Sequence, residues 1–165
     1  MSSIQDRLNQ TDLTTIETSF PIPKAGLVAA MIADITENTV DDSGNELKAP
    51  FVAIKYTFTQ DWETHPVNGV SKPILAGFPL TERVYVSDWT DPKTGEVKNF
   101  GITQLTKLRE AVYGPAKPGD QLIFQELLGQ SLILRLKYDP APKNKKTGET
   151  YGPQTTVSGY LKAVN

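Results

Sequence analysis

The sequence predicts a mainly β fold that carries one long helix. Several segments alternate apolar and polar residues, which is the pattern of a strand with one buried face. Clusters of Gly, Pro, Asn and Asp separate these segments, as turns do. Only residues 99–114 lengthen the period to that of a helix. With 165 residues, 38% of them hydrophobic, the chain fits one domain with its own core.

The first 23 residues predict a flexible N-terminal arm, because they are polar and close with two prolines, Pro21 and Pro23. Ile4 and Leu8 indicate one helical turn within this arm. A single domain is expected over residues 24–165. Its first strand begins at Gly26 in GLVAAMIADITENTV and ends at the turn DDSGNE.

The second strand is predicted in PFVAIKYTFTQDW, which places alternate side chains on opposite faces. The inner set is Val52, Ile54, Tyr56 and Phe58, and the outer set is Phe51, Ala53, Lys55 and Thr57. The prolines and glycines of the next segment, ETHPVNGVSKPILAGFP, exclude a regular element there. A third strand follows in LTERVYVSDW, with Val84 and Val86 inward and with Arg83, Tyr85 and Ser87 outward. TDPKTGEV then forms a short hairpin.

The helix is predicted in NFGITQLTKLREAVYG, which ends at Gly114. Its apolar stripe consists of Ile102, Leu105, Leu108 and Val112. The segment PGDQLIFQELLG indicates a second, short helical turn that Asp120 would cap. The fourth strand, SLILRLKY, turns Leu132, Leu134, Leu136 and Tyr138 inward. The fifth strand, TTVSGYLKAV, does the same with Val157, Leu161 and Ala163.

The resulting order of three strands, one helix and two strands is that of the OB-fold. This fold is a five-stranded, partly open Greek-key barrel, here with its helix between strands 3 and 4. Ligands of OB-folds cross strands 2 and 3 and are held by the loops that join strands 1 to 2 and 4 to 5. The alternative is a β-sandwich with one incidental helix, which strand spacing alone does not exclude.

The chain resembles the small OB-fold single-stranded-DNA-binding proteins of bacteriophage replication modules. The segments that carry the resemblance are KAGLVAAMIADI, PFVAIKYTF, ELLGQSLILRLKY and SGYLKAV, and together they extend over Lys24–Val164. The resemblance implies sequence-non-specific protection of single-stranded DNA during replication or recombination. Many such proteins end in an acidic tail that recruits partners, and the resemblance does not extend to such a tail, since this sequence ends in LKAVN.

Positive charge is concentrated in the last fifth of this acidic chain. The net charge is −2, yet six basic residues stand against two acidic ones from Ser131 onward. The segment Lys137–Thr156, which would join strands 4 and 5, holds four of these lysines. Local potential rather than net charge steers an anionic ligand, so this loop is a candidate DNA contact. A solvated turn is the plainer interpretation, because a near copy, PKTGEV, recurs at Pro92–Val97 where only a hairpin is needed.

A non-specific single-strand binder needs aromatic rings that stack on bases and cations that contact phosphates. On this basis we predict a nucleic-acid interface on the outer face of strands 2 and 3, on strand 4 and in the lysine-rich loop. Its residues are Phe51, Lys55, Arg83, Tyr85, Trp89, Arg135, Lys137, Lys143, Lys145, Lys146 and Tyr151. The alternative is structural: Phe51 and Tyr85 would be a cross-strand pair, and Trp89 would pack on its hairpin.

Signals for catalysis and for cofactors are weak. The chain has no cysteine, so disulfides, thiolate zinc sites and cysteine nucleophiles are excluded. Its one histidine, His65, lies beside Pro66 with no serine motif or metal-ligand spacing around it. The acidic turns DDSGNE and DWTDPKTGE do not match a calcium loop. We therefore expect no enzyme activity, no cofactor and no metal site.

The expected partner is single-stranded DNA, with other replication proteins and further copies of the chain on DNA as candidate partners. No signal peptide or apolar run of about 20 residues is present, which favours a cytoplasmic protein that contacts no membrane. A second functional hypothesis comes from another class of protein. A β-rich structural or assembly protein of a virion would use its lysine-rich loop to contact a neighbouring subunit instead of DNA.

Overall fold

The computed structural model describes residues 3–12, 20–144 and 147–164, and this part of the chain is mainly β. Its helices are α1 (Ile4–Asn9), α2 (Phe100–Tyr113) and α3 (Phe124–Leu127). The long strands are β1 (Gly26–Val40), β2 (Glu46–Phe58), β5 (Pro79–Tyr85), β8 (Ser131–Asp139) and β9 (Gln154–Lys162). Four two-residue strands form small hairpins, β3 (Trp62–Glu63) with β4 (Pro73–Ile74) and β6 (Trp89–Thr90) with β7 (Val97–Lys98). No helix of these residues is long and apolar enough to cross a membrane.

The five long strands form one antiparallel sheet in the order β5-β2-β1-β8-β9. In this order the fourth long strand returns to lie beside the first, which is a Greek-key arrangement. The first half of β1 pairs with β8 and the second half with β2, so that only Ala30 and Met31 are paired on both sides. The predicted succession of three strands, a helix and two strands is confirmed. Hydrogen bonds among the described residues do not close the sheet into a barrel, and β5 and β9 remain its edges.

Two β-bulges change which side chains face the core. Ala33 is the extra residue in β1 and Ser158 the extra residue in β9. Because of the second bulge, Val157 and Tyr160 both pack against the core. Strict alternation predicts Val157, Leu161 and Ala163 instead, and that prediction is wrong for the last two.

The core lies between the inner face of the sheet and α2. All four predicted inner residues of β2 are buried, as are Leu132, Leu134 and Leu136 of β8. Helix α2 buries Gly101, Leu105, Leu108 and Ala111. The predicted stripe is wrong at Ile102, which is 57% exposed.

The close approach of α2 to β5 requires glycine at position 101. A Cβ atom on Gly101 would lie 2.0 Å from the backbone oxygen of Tyr85. Asn99 caps this helix, since its side chain accepts from the Ile102 amide and donates to the Val86 carbonyl. The first turn of α2 is thereby held against the end of β5, beside the outer residues of that strand.

Three further sequence predictions can be compared with the structure, and they concern the short elements outside the main sheet. The segment expected to contain no regular element holds β4 and the second residue of β3, and Ile74 of β4 is buried. Helix α3 begins after Ile123 rather than at an Asp120 cap, because the Asp120 carboxylate accepts from the Lys117 amide. The predicted helical turn in the arm is α1, which buries none of its residues. Residues 13–19 lie outside the described part, and Pro23 is buried against the sheet.

Candidate nucleic-acid interface

Three of the predicted residues form a compact group on the outer face of β2 and β5, here called the outer-face cluster: Phe51, Arg83 and Tyr85. Phe51 and Tyr85 are directly opposite each other in the ladder, with ring centroids 5.4 Å apart. The Arg83 guanidinium lies 5.0 Å from the Phe51 ring centroid, in a cation–π contact. Tyr85 remains 51% exposed. The cluster therefore offers an aromatic surface and a positive charge to the same ligand.

Lys55 shares this face but lies apart from the rings. It is exposed and stands opposite Thr81, four residues along β2 from Phe51. At about 3.3 Å per residue, this spacing separates the two backbone positions by about 13 Å. Lys55 is therefore placed to extend the outer-face cluster along the strand, not to complete it.

A groove of about 860 Å³ separates the two edge strands of the sheet, and we call it the seam groove. Arg83 and Tyr85 line its β5 side, while Tyr151, Gln154 and Thr156 line the side formed by β9 and the loop before it. Tyr151 is exposed, and the Asn144 side chain donates to its hydroxyl over 2.9 Å. The groove thus brings Tyr151 into one site with two members of the outer-face cluster.

A buried carboxylate lies at the base of the seam groove. Glu82 is 7% exposed and accepts hydrogen bonds from Tyr56 at 2.7 Å, Gln104 at 2.6 Å and Tyr160 at 2.7 Å. Burial raises the pKa of Glu82, and the three hydrogen bonds oppose that rise. Burial, together with the charge of Glu82, raises the pKa of Tyr160 as well. This network joins β2, β5, α2 and β9 beneath the groove.

The described residues of the lysine-rich loop share two backbone features with the hairpin at 91–96. Gly148 donates to the Asn144 carbonyl at 2.8 Å, as Gly95 does to the Asp91 carbonyl, and both glycines have a φ of 72°. Lys143 is exposed and bridges to Thr150. Lys145 and Lys146 lie outside the described residues. The described ends of this loop therefore repeat the backbone features of the PKTGEV hairpin.

The cations of β8 lie at a distance from Lys55. Arg135 pairs with Leu27 of β1, whereas Lys55 pairs with Asp34, seven residues further along the same strand. That spacing corresponds to about 23 Å along β1. Lys137 is exposed and stands opposite Thr156, which lines the seam groove. The predicted interface therefore divides into separate groups that a ligand would contact in succession.

Trp89 lies on the β6–β7 hairpin and shares no ring contact with the outer-face cluster. Its ring packs on Phe100 at the start of α2, with centroids 5.7 Å apart and planes tilted by 42°. Trp89 is 44% exposed and Phe100 60% exposed. The structural alternative places Trp89 against its hairpin, whereas the ring packs on α2, and the pair still presents aromatic surface to solvent.

Sequence reasoning missed Glu82, Gln104 and Tyr160 as neighbours of the site. The alternation of β5 contains a signal for the first, because Glu82 shares the inward parity of Val84 and Val86. No comparable signal exists for Tyr160, whose orientation depends on the bulge at Ser158. Gln104 lies on a helix whose packing on β9 is a tertiary contact.

The described residues contain no group of three His, Cys, Asp or Glu side chains placed to bind a metal ion. His65 stacks on Tyr138 with ring centroids 3.5 Å apart.

No protein-family model matches the chain, and a search of curated proteins finds no relative.

Proposed function

We propose that this chain is an OB-type single-stranded-DNA-binding protein of a phage replication or recombination module, which protects DNA without chemistry of its own. The strand order supports an OB-type fold, because β8, β1, β2 and β5 follow the Greek-key order of that barrel and α2 occupies its expected place. The division of β1 between β2 and β8 also fits a sheet that curves toward closure.

The observation that carries the function is the outer-face cluster facing Tyr151 across the seam groove. Every base offers a π-face, and stacking on an aromatic side chain is worth about 1–3 kcal/mol per base. Tyr85 and Tyr151 provide exposed rings, while Arg83 provides a charge that phosphates attract. A ligand that presents unpaired bases and phosphates together meets all three groups.

The same composition favours single strands over duplex DNA. Bases in a duplex are stacked on one another, so that their π-faces do not reach the tyrosines of a groove. The chain as a whole is acidic, with a net charge of −2, which opposes coating of a duplex by bulk charge. Binding would then depend on these local groups. A cytoplasmic protein that meets replication intermediates, other replication proteins and further copies of itself on one strand fits this role.

Fluorescence anisotropy with labelled oligo-dT, at low and at moderate salt, tests the proposal. The parent should bind with an affinity that falls as salt rises, and a duplex of equal length should bind more weakly. The double variant Arg83→Ala/Tyr85→Ala should lose affinity. Its matched control is Lys48→Ala/Leu75→Ala, which removes one exposed cation and one exposed apolar side chain outside the groove.

Absence of binding, or an affinity indifferent to salt, contradicts the proposal. If that result is accompanied by oligomers in light scattering that persist at high salt, the virion structural or assembly role becomes the better hypothesis.

A further inference from the structure

A second groove, of about 810 Å³, runs between α2 and β9 and is here called the helix groove. Its lining includes Lys107 of α2, Arg135 of β8 and Lys162 of β9. Gln104 and Val157 line both this groove and the seam groove. The two grooves are therefore neighbours along β9, with Gln104 and Val157 at their junction.

The charge of the helix groove is predominantly positive. Lys107, Arg135 and Lys162 are exposed, and Glu110 is the acidic residue that lines the groove with them. Among the ion pairs of the described residues, which join Lys24 to Glu63, Lys98 to Glu96 and Arg109 to Asp120, none uses these three cations. Their charge is thus available to an anionic ligand.

Two features of shape add to this charge. Gly159 leaves the surface beside Arg135 without a side chain, and a Cβ atom there would lie 3.6 Å from an Arg135 guanidinium nitrogen. Phe100 lines the helix groove, and the Trp89 ring packs on it. The groove therefore combines cations with the exposed Phe100 ring.

We propose that a bound single strand continues from the seam groove into the helix groove, where Lys107, Arg135 and Lys162 contact its phosphates. This inference rests on the proposed function. It assigns a binding role to Lys107 and Lys162 and brings Arg135 into the same site as these two lysines. It also predicts that the bound DNA extends beyond the outer face of β2 and β5 and runs along the edge strand β9 and helix α2.

The test compares the salt dependence of binding to a long oligo-dT for the parent and two triple variants. The site variant is Lys107→Ala/Arg135→Ala/Lys162→Ala. The control, Arg7→Ala/Lys48→Ala/Lys93→Ala, removes the same charge from exposed positions that line neither groove. For single strands each lost phosphate contact makes the slope of log K against log salt less steep by about 0.7. The slope of the site variant should therefore be less steep than that of the parent by about 2, and the slope of the control should be unchanged.

A site variant whose slope equals that of the parent overturns the inference, and so does an equal decrease in the site and control variants. Either result leaves the proposed function standing if Arg83→Ala/Tyr85→Ala still weakens binding. A parent that does not bind oligo-dT contradicts the proposed function itself, and the inference with it. Circular dichroism of both triple variants verifies that they are folded before binding is compared.

Discussion

The Tyr160 hydroxyl lies 2.7 and 2.8 Å from the two carboxylate oxygens of Glu82, and so links the two edges of the sheet. Glu82 belongs to β5 and Tyr160 to β9, strands that no ladder joins among the described residues. Gln104 of α2 donates to Glu82 at 2.6 Å from the same side. Side chains therefore hold the floor of the seam groove where backbone pairing ends.

The first prediction concerns the stability of this seam. Tyr160→Phe removes one of the three donors to a buried carboxylate, and a hydrogen bond to a charged group contributes about 1.5–3 kcal/mol. We expect a loss of that size in the free energy of unfolding, measured by urea denaturation. Tyr85→Phe is the control, because Tyr85 is exposed and should change stability little. Equal stabilities of the two variants would show that the Tyr160 hydroxyl does not hold the seam.

The second prediction is a pH dependence due to Glu82. Its pKa is raised in the folded state, mainly by burial, above the value of about 4.3 expected in the unfolded chain. Between these two values the folded protein holds a proton that the unfolded chain releases, so its contribution to stability declines as pH rises. This contribution is complete below the unfolded pKa and is lost as pH passes through the raised folded pKa.

Glu82→Gln removes that titration, and urea unfolding of parent and variant over a pH series measures it. The stability of the parent relative to the variant should fall as pH rises from about 4.3. Parallel curves for the two proteins would mean that Glu82 titrates alike in the folded and unfolded states, contrary to the burial seen here.

The third prediction concerns Trp89. If its ring stacks on a base, Trp89→Ala should weaken oligo-dT binding by about 1–3 kcal/mol, and the fold should persist because the ring is 44% exposed. Tryptophan fluorescence of the parent should be quenched by DNA, with Trp62 adding a constant background. Val97→Ala, in the paired strand of the same hairpin, is the control. If Trp89→Ala binds oligo-dT as tightly as the parent does, the bound DNA does not contact Trp89.

The fourth prediction concerns the lysine-rich loop. Replacing Lys143, Lys145 and Lys146 by alanine should weaken binding alike for different base sequences, because phosphate contacts do not read bases. The salt slope should fall by about 2 for three lost contacts, while the melting temperature stays near that of the parent. An unchanged slope in a folded variant would assign these lysines to the solubility of the turn alone.

The sequence predicted the strands more completely than the site. Alternation located β2 and its buried face correctly, because its one inward face is apolar without interruption from Val52 to Phe58. It failed on β9, where the bulge at Ser158 reverses the parity of every later residue. The alternation pattern also grouped the outer residues on one surface. In the structure Lys55 and Arg135 pair with residues seven positions apart on β1. Pairing register and helix docking decide such neighbours, and neither follows from local pattern.

Photo-crosslinking with an oligonucleotide that carries 4-thiothymidine, followed by mass spectrometry of the crosslinked peptides, tests most directly whether DNA binds in the seam groove. Binding in the seam groove predicts crosslinks on the peptides that contain Arg83 and Tyr85 on one side and Tyr151 on the other. The free oligonucleotide without the modified base should compete these crosslinks away. Crosslinks confined to residues remote from the groove, such as the turn at Asp41–Asn45, or no competable crosslinks at all, would show that the seam groove does not bind DNA.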